Sequence, residues 1–259
     1  MIKIRFVSWL LLVYFAAALV FGLFTGWTLF LSGQSFFEDP GDVSNAVFII
    51  GYVLFSTVML FLILKFYKGA SLFQVVEYLL YFSAAQVFAS LFVSQELSMI
   101  AGLAAAGLRL ASEKMRVPLL LFSAGVVGGL LGASLDFLPA VILGIGLSAY
   151  DLYAVFYSKH MVALAEKLGE RKAAFAVSLN VQKERITLGT GDLVIPVMLA
   201  TAFLKTSLVY GLASIIGSVI GLFCLIVVME ARRGYYPALP PIVGGSLVAS
   251  GLVFAVSFL

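Results

Sequence analysis

The chain has 259 residues, of which 63% are apolar and 11% are charged, and its formal net charge is +3. This composition is typical of a protein embedded in lipid and excludes an ordinary water-soluble globule. The small positive charge does not indicate nucleic-acid binding, because in a membrane protein the location of Lys and Arg matters more than their sum.

Nine apolar segments follow one another along the chain. Most approach the ~20 residues needed to cross a hydrocarbon core of ~30 Å. They are roughly Val7–Leu31, Ala46–Leu64, Leu72–Val93, Leu97–Ala111, Val117–Leu135, Phe137–Ser158, Ile186–Leu204, Ser207–Met229 and Pro237–Leu259. The sequence therefore predicts an all-α polytopic membrane protein with nine transmembrane helices. It predicts one membrane domain over 1–259, with spans one to six in 7–158, a cytoplasmic loop at 159–185 and spans seven to nine in 186–259.

Basic residues are distributed unevenly between the two sides of these spans. If the segments alternate in direction, all 16 Lys and Arg residues except Lys205 fall in one set of loops. Loops rich in Lys and Arg face the cytoplasm. We therefore expect a cytoplasmic N-terminus and an extracytoplasmic C-terminus. The acids of the outer loops are interpreted as solvated surface: Glu38, Asp39, Asp42, Glu96 and Asp136.

Other polar residues on the cytoplasmic side are interpreted without a catalytic role. The fourth segment is short, so Arg109 is expected to extend to the interface. Glu77, near the start of the third segment, is expected either to do the same or to pack structurally. In the long loop, 161–168 and 173–177 favour short helices on the membrane surface, and a solvated linker is the alternative.

The single cysteine and the single histidine exclude several kinds of site. Cys224 alone allows no intrachain disulfide and no cysteine-based metal cluster. His160 is the only histidine, so the residues of a zinc-dependent HExxH protease or a Ser-His membrane protease are not present.

Two aspartates lie well inside apolar segments, Asp151 in the sixth and Asp192 in the seventh. An ionised Asp within a bilayer costs at least a few kcal/mol, so such residues usually line a wet cavity or pair with each other and are usually functional. The alternative is that each is a buried polar residue satisfied by its surroundings.

The positions of the two acids allow them to meet. Asp151 lies eight residues before Lys159, and Asp192 lies seven residues after Arg185. Straight helices would place both on the order of 10–12 Å below the cytoplasmic surface. Because the two spans are consecutive and antiparallel, the carboxylates can face each other. Two carboxylates a few Å apart cannot both ionise cheaply. The pair therefore holds one shared proton near neutrality, as in aspartic proteases.

Gly189 and Gly191 flank Thr190 just before Asp192. Glycines at these places let the backbone depart from an ideal helix and let another chain approach closely. Helix packing is the alternative role.

Three short motifs occur in order along the chain: Tyr150-Asp151, Gly189-Thr190-Gly191-Asp192 and Pro237-Ala238-Leu239. They resemble the YD, GxGD and PAL motifs of the presenilin and signal peptide peptidase family, on the expected spans and covering nearly the whole chain. The resemblance implies a GxGD-type intramembrane aspartyl protease with Asp151 and Asp192 as the catalytic pair. Tyr150 is expected to pack against the pair or hydrogen-bond to it. Thr190 is the variable position of its motif and a candidate for tuning substrate choice.

The expected orientation is similar to that of the presenilin branch, whereas signal peptide peptidases are oriented the opposite way. The chain departs from animal presenilins in lacking a long N-terminal tail and in having a much shorter loop between spans six and seven. Dependence on accessory subunits is therefore not expected, self-cleavage in the loop 159–185 is left open, and the chain looks like a compact microbial member. A homo-oligomer is left open.

The third motif has its own physical interpretation. Pro237, Pro240 and Pro241 disfavour a regular helix at the start of the ninth span. A substrate transmembrane helix has all its amides internally bonded, so it must unwind locally before its carbonyl can be reached. We expect the backbone near Ala238 and Leu239 to bind the unwound substrate, as in strand addition. A proline-marked helix start is the alternative.

The predicted function is cleavage of peptide bonds within transmembrane helices of membrane-protein substrates. No metal or organic cofactor is expected, since the carboxylates themselves would activate water. The main alternative is a proton-coupled secondary transporter, because intramembrane acids and broken helices also occur in carriers. Carriers usually show two related halves, and no such repeat is evident here. A non-enzymatic scaffold would leave two costly acids unexplained.

Overall fold

The computed structural model describes residues 6–67, 69, 71–157, 176–181, 184–231 and 236–257. Nine α-helices occur in these residues, in the predicted order. They are α1 Phe6–Leu31, α2 Ser44–Phe66, α3 Ser71–Ser90, α4 Gln95–Ala111, α5 Arg116–Ser134, α6 Phe137–Phe156, α7 Gly191–Thr206, α8 Leu208–Ala231 and α9 Leu239–Val256, with a 3-10 turn at Glu113–Met115 before α5. The predicted helical membrane fold is confirmed.

Seven of the helices in the described residues are long and apolar enough to cross a membrane. The two short ones are α4 and α7, with 17 and 16 residues. Helices satisfy their backbone hydrogen bonds internally, which a lipid environment requires. On α2, large apolar side chains such as Phe48 and Phe55 lie on the surface of the protein, where lipid chains would cover them.

Helix α7 lies at the centre of the bundle, and every residue from Ile195 to Leu204 is buried. Glycines on α5 let the two helices approach closely. A Cβ at Gly128 would lie 2.7 Å from the carbonyl oxygen of Val194. One at Gly132 would lie 2.5 Å from that of Met198. Small residues allow this kind of backbone contact between membrane helices. Helices α1, α6, α8 and α9 also pack on α7.

A β-hairpin precedes α7 and was not predicted. Strand β1, Ala176–Val181, pairs antiparallel with β2, Glu184–Gly189, and Val177 lies opposite Leu188. These two side chains are buried against the hydrophobic core that α1 and α5 share.

The expected helix at 173–177 is therefore wrong for Ala176 and Val177, while 161–168 and 173–175 lie outside the described residues. The seventh helix begins at Gly191, not at Ile186.

The acid near the start of α3 and the base near the end of α4 lie inside the bundle and do not extend to its surface. Glu77 is 3% exposed and Arg109 is 6% exposed. Glu77 accepts hydrogen bonds from Arg109 Nε at 3.0 Å, from Arg116 Nη2 at 3.2 Å and from the Tyr81 hydroxyl at 2.8 Å. The interfacial interpretation is wrong because each charge has a partner within the bundle, which is the condition for burying it. The packing interpretation of Glu77 is confirmed, and the cluster joins α3, α4 and α5.

Candidate active site

Asp151 lies on α6, five residues before the helix ends at Phe156. Its side chain is half-buried, and Oδ2 accepts a hydrogen bond of 3.1 Å from the backbone N–H of Leu239. Leu239 is the first residue of α9. The carboxylate therefore lies at a helix N-terminus, where unpaired N–H groups and the helix dipole favour a negative charge.

Asp192 is the second residue of α7 and also half-buried. Its Oδ2 accepts a hydrogen bond of 3.0 Å from the backbone N–H of Gly189. Thr190 precedes the helix, and its carbonyl accepts hydrogen bonds from the backbone N–H groups of Leu193 and Val194. The straight helix assumed in estimating the depth of Asp192 is wrong, because 186–189 belong to a strand and the helix starts only at Gly191. The depth itself stays a prediction.

The structure brings the two aspartates together. Asp151 lies within electrostatic range of Asp192. Their helices meet around Gly144 of α6, where a Cβ would lie 3.3 Å from Leu199 of α7 and 3.4 Å from Val243 of α9. Helices α6, α7 and α9 therefore form one packed unit that holds Asp151, Asp192 and the start of α9 side by side.

Each carboxylate has one oxygen bound by a backbone amide. Such a bond orients the carboxylate and leaves it able to exchange a proton, which is what general acid and base catalysis requires. The Gly189 donor lies before α7 and the Leu239 donor opens α9, where the neighbouring Ala238 amide also interacts with Asp151. Sequence reasoning missed both donors, because any residue other than proline carries an N–H.

The two glycines of the GxGD segment have different surroundings. A Cβ at Gly189 would lie 3.1 Å from Asp192 Oδ2, closer than side chains normally approach. A Cβ at Gly191 would meet nothing within 4 Å. Gly189 is thus explained by the carboxylate beside it. The close approach of another chain at Gly191 stays a prediction.

Pro237 and Leu239 are buried, and Ala238 is half-buried. Helix α9 begins at Leu239, with Pro240 and Pro241 in its first turn. A proline-marked helix start is therefore present, as the alternative interpretation expected. The segment also contacts Asp151 through the Leu239 amide. Its role in substrate binding stays a prediction, as do those of Tyr150, which is half-buried next to Asp151, and Thr190.

Comparisons with known proteins give the family and the fold. The family model for signal-peptide peptidase and presenilin aspartyl protease matches residues 10–258. A search of curated proteins finds no match. The fold is similar to the structure of a presenilin family intramembrane aspartate protease in the P2 space group, with 22% identity, a TM-score of 0.69 and coverage of 93% of this chain and 96% of the other.

A structure of a presenilin family intramembrane aspartate protease in the C222 space group is similar to the same degree. The identity is 22% and the TM-score 0.70, over 95% of this chain and 99% of the other. Neither comparison points to a transporter. Since the family model covers nearly the whole sequence, the chain belongs to the signal-peptide peptidase and presenilin family of intramembrane aspartyl proteases.

Proposed function

We propose that Asp151 and Asp192 are the catalytic pair of this multi-pass membrane protease, and that it cleaves peptide bonds within the transmembrane helices of other membrane proteins. The observation that carries the proposal is that α6 and α7 pack together in an apolar bundle and that each carries a half-buried aspartate bound by a backbone amide. Burying two acids in such a place is costly, so acids found there usually have a function.

The chemistry follows from a proton shared between the two carboxylates. The ionised member takes a proton from a water molecule as the water oxygen attacks the peptide carbonyl carbon. The protonated member gives its proton to the carbonyl oxygen. Collapse of the tetrahedral intermediate breaks the C–N bond. The carboxyl that took the water proton gives it to the departing amine, and a hydroxyl of the intermediate returns its proton to the other carboxylate as the new carbonyl forms. One water is consumed for each bond, and the carboxylates regain their starting state.

A substrate helix must unwind before this pair can reach a peptide bond. Two features near the pair support binding of an extended segment. Strand β2 leads directly into the GxGD segment, and within the described residues it pairs only with β1, which leaves its outer edge available for strand addition. Pro237 and Ala238 supply irregular backbone before α9, where the amides of Ala238 and Leu239 both interact with Asp151.

The test of the catalytic pair uses the purified chain alone in detergent, with a single-span model substrate. We expect cleavage by the unmodified chain and none by Asp151→Asn or Asp192→Asn. Glu96→Gln is the matched control, because it makes the same change at an exposed residue in the first turn of α4. Cleavage by either aspartate variant would contradict the assignment. Substrate uptake in proteoliposomes without product fragments would instead indicate a carrier.

The same experiment tests two further parts of the proposal. Activity of the chain without other proteins supports independence from accessory subunits. Survival of the intact chain during incubation supports the absence of self-cleavage in the loop 159–185. A homo-oligomer is not required by the chemistry, since one chain supplies both carboxylates.

The substrate role of the Pro237-Ala238-Leu239 segment needs a separate variant. Leu239 is 9% exposed, so a charged replacement there would damage folding. Ala238 is half-buried, and Ala238→Leu adds bulk where the substrate is proposed to lie. We expect KM to rise or the cleavage position to move, with the thermal stability kept. Unchanged KM and unchanged products would count against a substrate role.

A further inference from the structure

Lys205 is the one Lys or Arg that the topology places on the extracytoplasmic side, and it lies in the last turn of α7. Its side chain is only 7% exposed. Nζ donates to Asp136 Oδ1 at 2.9 Å and to the carbonyl oxygen of Ala133 at 3.1 Å. It also lies 5.6 Å from the centroid of the Phe30 ring of α1. The cation therefore joins the end of α7 to the turn between α5 and α6.

Asp136 occupies the N-cap position of α6 but makes no capping hydrogen bond with its side chain. Its carboxylate binds Lys205 instead, while its backbone N–H donates to the carbonyl of Pro40 at 2.9 Å. The helix dipole is positive at the start of α6 and negative at the end of α7, so it attracts the Asp136 carboxylate and the Lys205 ammonium group, respectively. The pair is thus favoured by both helices as well as by its own attraction.

A second contact holds the same two helix ends. The rings of Phe137, the first residue of α6, and Phe203 of α7 have centroids 4.7 Å apart. Phe203 is fully buried. The ion pair and the ring contact restrict sliding of α6 along α7, because both would be broken by a shift of one helix against the other.

The spacing along both helices connects this end to the active site. Asp136 and Asp151 are fifteen residues apart on α6, and Lys205 and Asp192 are thirteen apart on α7. At 1.5 Å per residue these are about 22 Å and 20 Å. The helices run antiparallel to each other over nearly the same length, so a shift of one helix along the other would change the alignment at both ends.

We propose that the Lys205–Asp136 pair is a positioning device. From the end of α6 and α7 opposite the active site, it keeps Asp151 and Asp192 aligned with each other. This inference rests on the proposed catalytic role of the two aspartates. Lys205 and Asp136 contact neither reacting group and act only through the helices that carry them.

The test compares Lys205→Met, Asp136→Asn and the conservative Lys205→Arg in purified protein. A misplacement on the order of 1 Å costs about 100-fold in rate, so we expect kcat to fall roughly 10–100-fold in Lys205→Met and Asp136→Asn with KM little changed. Lys205→Arg keeps the ion pair and should retain most of the activity.

Binding of a non-cleavable hydroxyl-containing peptide isostere separates positioning from folding. Such a compound must bridge both carboxylates, so misplaced aspartates raise its Kd by a factor comparable to the loss in kcat. A merely structural role lowers the number of binding sites per chain and leaves the Kd of the remaining sites unchanged. That second result, or a normal kcat in Lys205→Met, would overturn the proposal.

Lys65→Met is the matched control. Lys65 also lies in the last turn of a helix, α2, with Nζ 5.6 Å from the centroid of the Phe66 ring. Helix α2 carries neither aspartate, so kcat and isostere binding should stay at the unmodified values. If the unmodified chain cleaves no substrate, the proposed function fails. If it cleaves and the Lys205 and Asp136 variants cleave equally well, only the positioning role fails.

Discussion

The two glycines before Asp192 are equivalent in the motif but not in the structure. Gly189 donates its N–H to Asp192 Oδ2, and any side chain there would crowd the same oxygen. Gly191 borders open space. We therefore expect Gly189 to matter for catalysis and Gly191 for substrate access, although only Thr190 separates them.

This difference predicts unequal effects of adding one methyl group. Gly189→Ala should lower kcat roughly 10–100-fold, because the carboxylate or the strand must move to relieve the contact. Gly191→Ala should have a much smaller effect on kcat and act mainly on KM. Steady-state cleavage of a single-span substrate measures both.

Gly51→Ala on α2 is the control for the methyl group itself, since a Cβ there also meets nothing within 4 Å. Equal losses of kcat in Gly189→Ala and Gly191→Ala would show that crowding of Asp192 is not the reason for the first glycine.

The hairpin shows at the level of elements how a membrane sequence can be misinterpreted. Residues 177–181 and 185–188 alternate apolar and polar side chains, which is the two-residue period of a strand. Hydropathy alone joined Ile186 to the following apolar run, because a window of ~20 residues averages over such a period. The consequence is functional, since Asp192 lies at the start of a helix rather than within one.

The buried ion cluster of α3, α4 and α5 predicts a large stability effect. Glu77→Gln leaves Arg109, whose side chain is 7% exposed, without its buried counter-charge. Breaking a buried pair from one side costs roughly 3–5 kcal/mol. We expect a loss of this size in the free energy of unfolding, measured by denaturant titration in detergent.

The chain offers a matched control on the same arginine. Arg109 Nη1 also binds Glu113 Oε1 at 3.1 Å, but the Glu113 side chain is 80% exposed. Glu113→Gln removes an exposed i,i+4 pair, which is worth about 0.3–0.5 kcal/mol. Similar destabilisation by both substitutions would mean that burial of Glu77 does not determine the strength of the cluster.

The distribution of Lys and Arg predicts the orientation of the whole molecule. We propose that the side of the bundle that carries both aspartates and the Glu77 ion cluster faces the cytoplasm, because loops rich in Lys and Arg stay on that side of a membrane. Cysteines introduced at Ser35 and Lys114, both exposed and on opposite sides, test this in a Cys224→Ser background. A membrane-impermeant maleimide should label position 35 in intact cells and position 114 only after lysis.

Labelling of position 114 in intact cells, with position 35 protected, would show the opposite orientation. The catalytic proposal would survive that result, because the contacts around the two aspartates do not depend on which side of the membrane they face. The expected substrates would then be those whose unwound segment enters from the other side.

The sequence by itself determined the membrane location, the order of the nine helices that the described residues contain, and the identity of the two candidate catalytic acids. These are local properties, since the length of an apolar run and the cost of a charge in lipid can be evaluated within one segment. The tertiary structure alone decided which amides hold Asp151 and Asp192, where Glu77 and Lys205 find their partners, and that Asp192 begins its helix. Those contacts join residues far apart in the chain, and their donors are backbone groups or common charges that carry no distinctive pattern. Only the packing of α6, α7 and α9 brings them within reach.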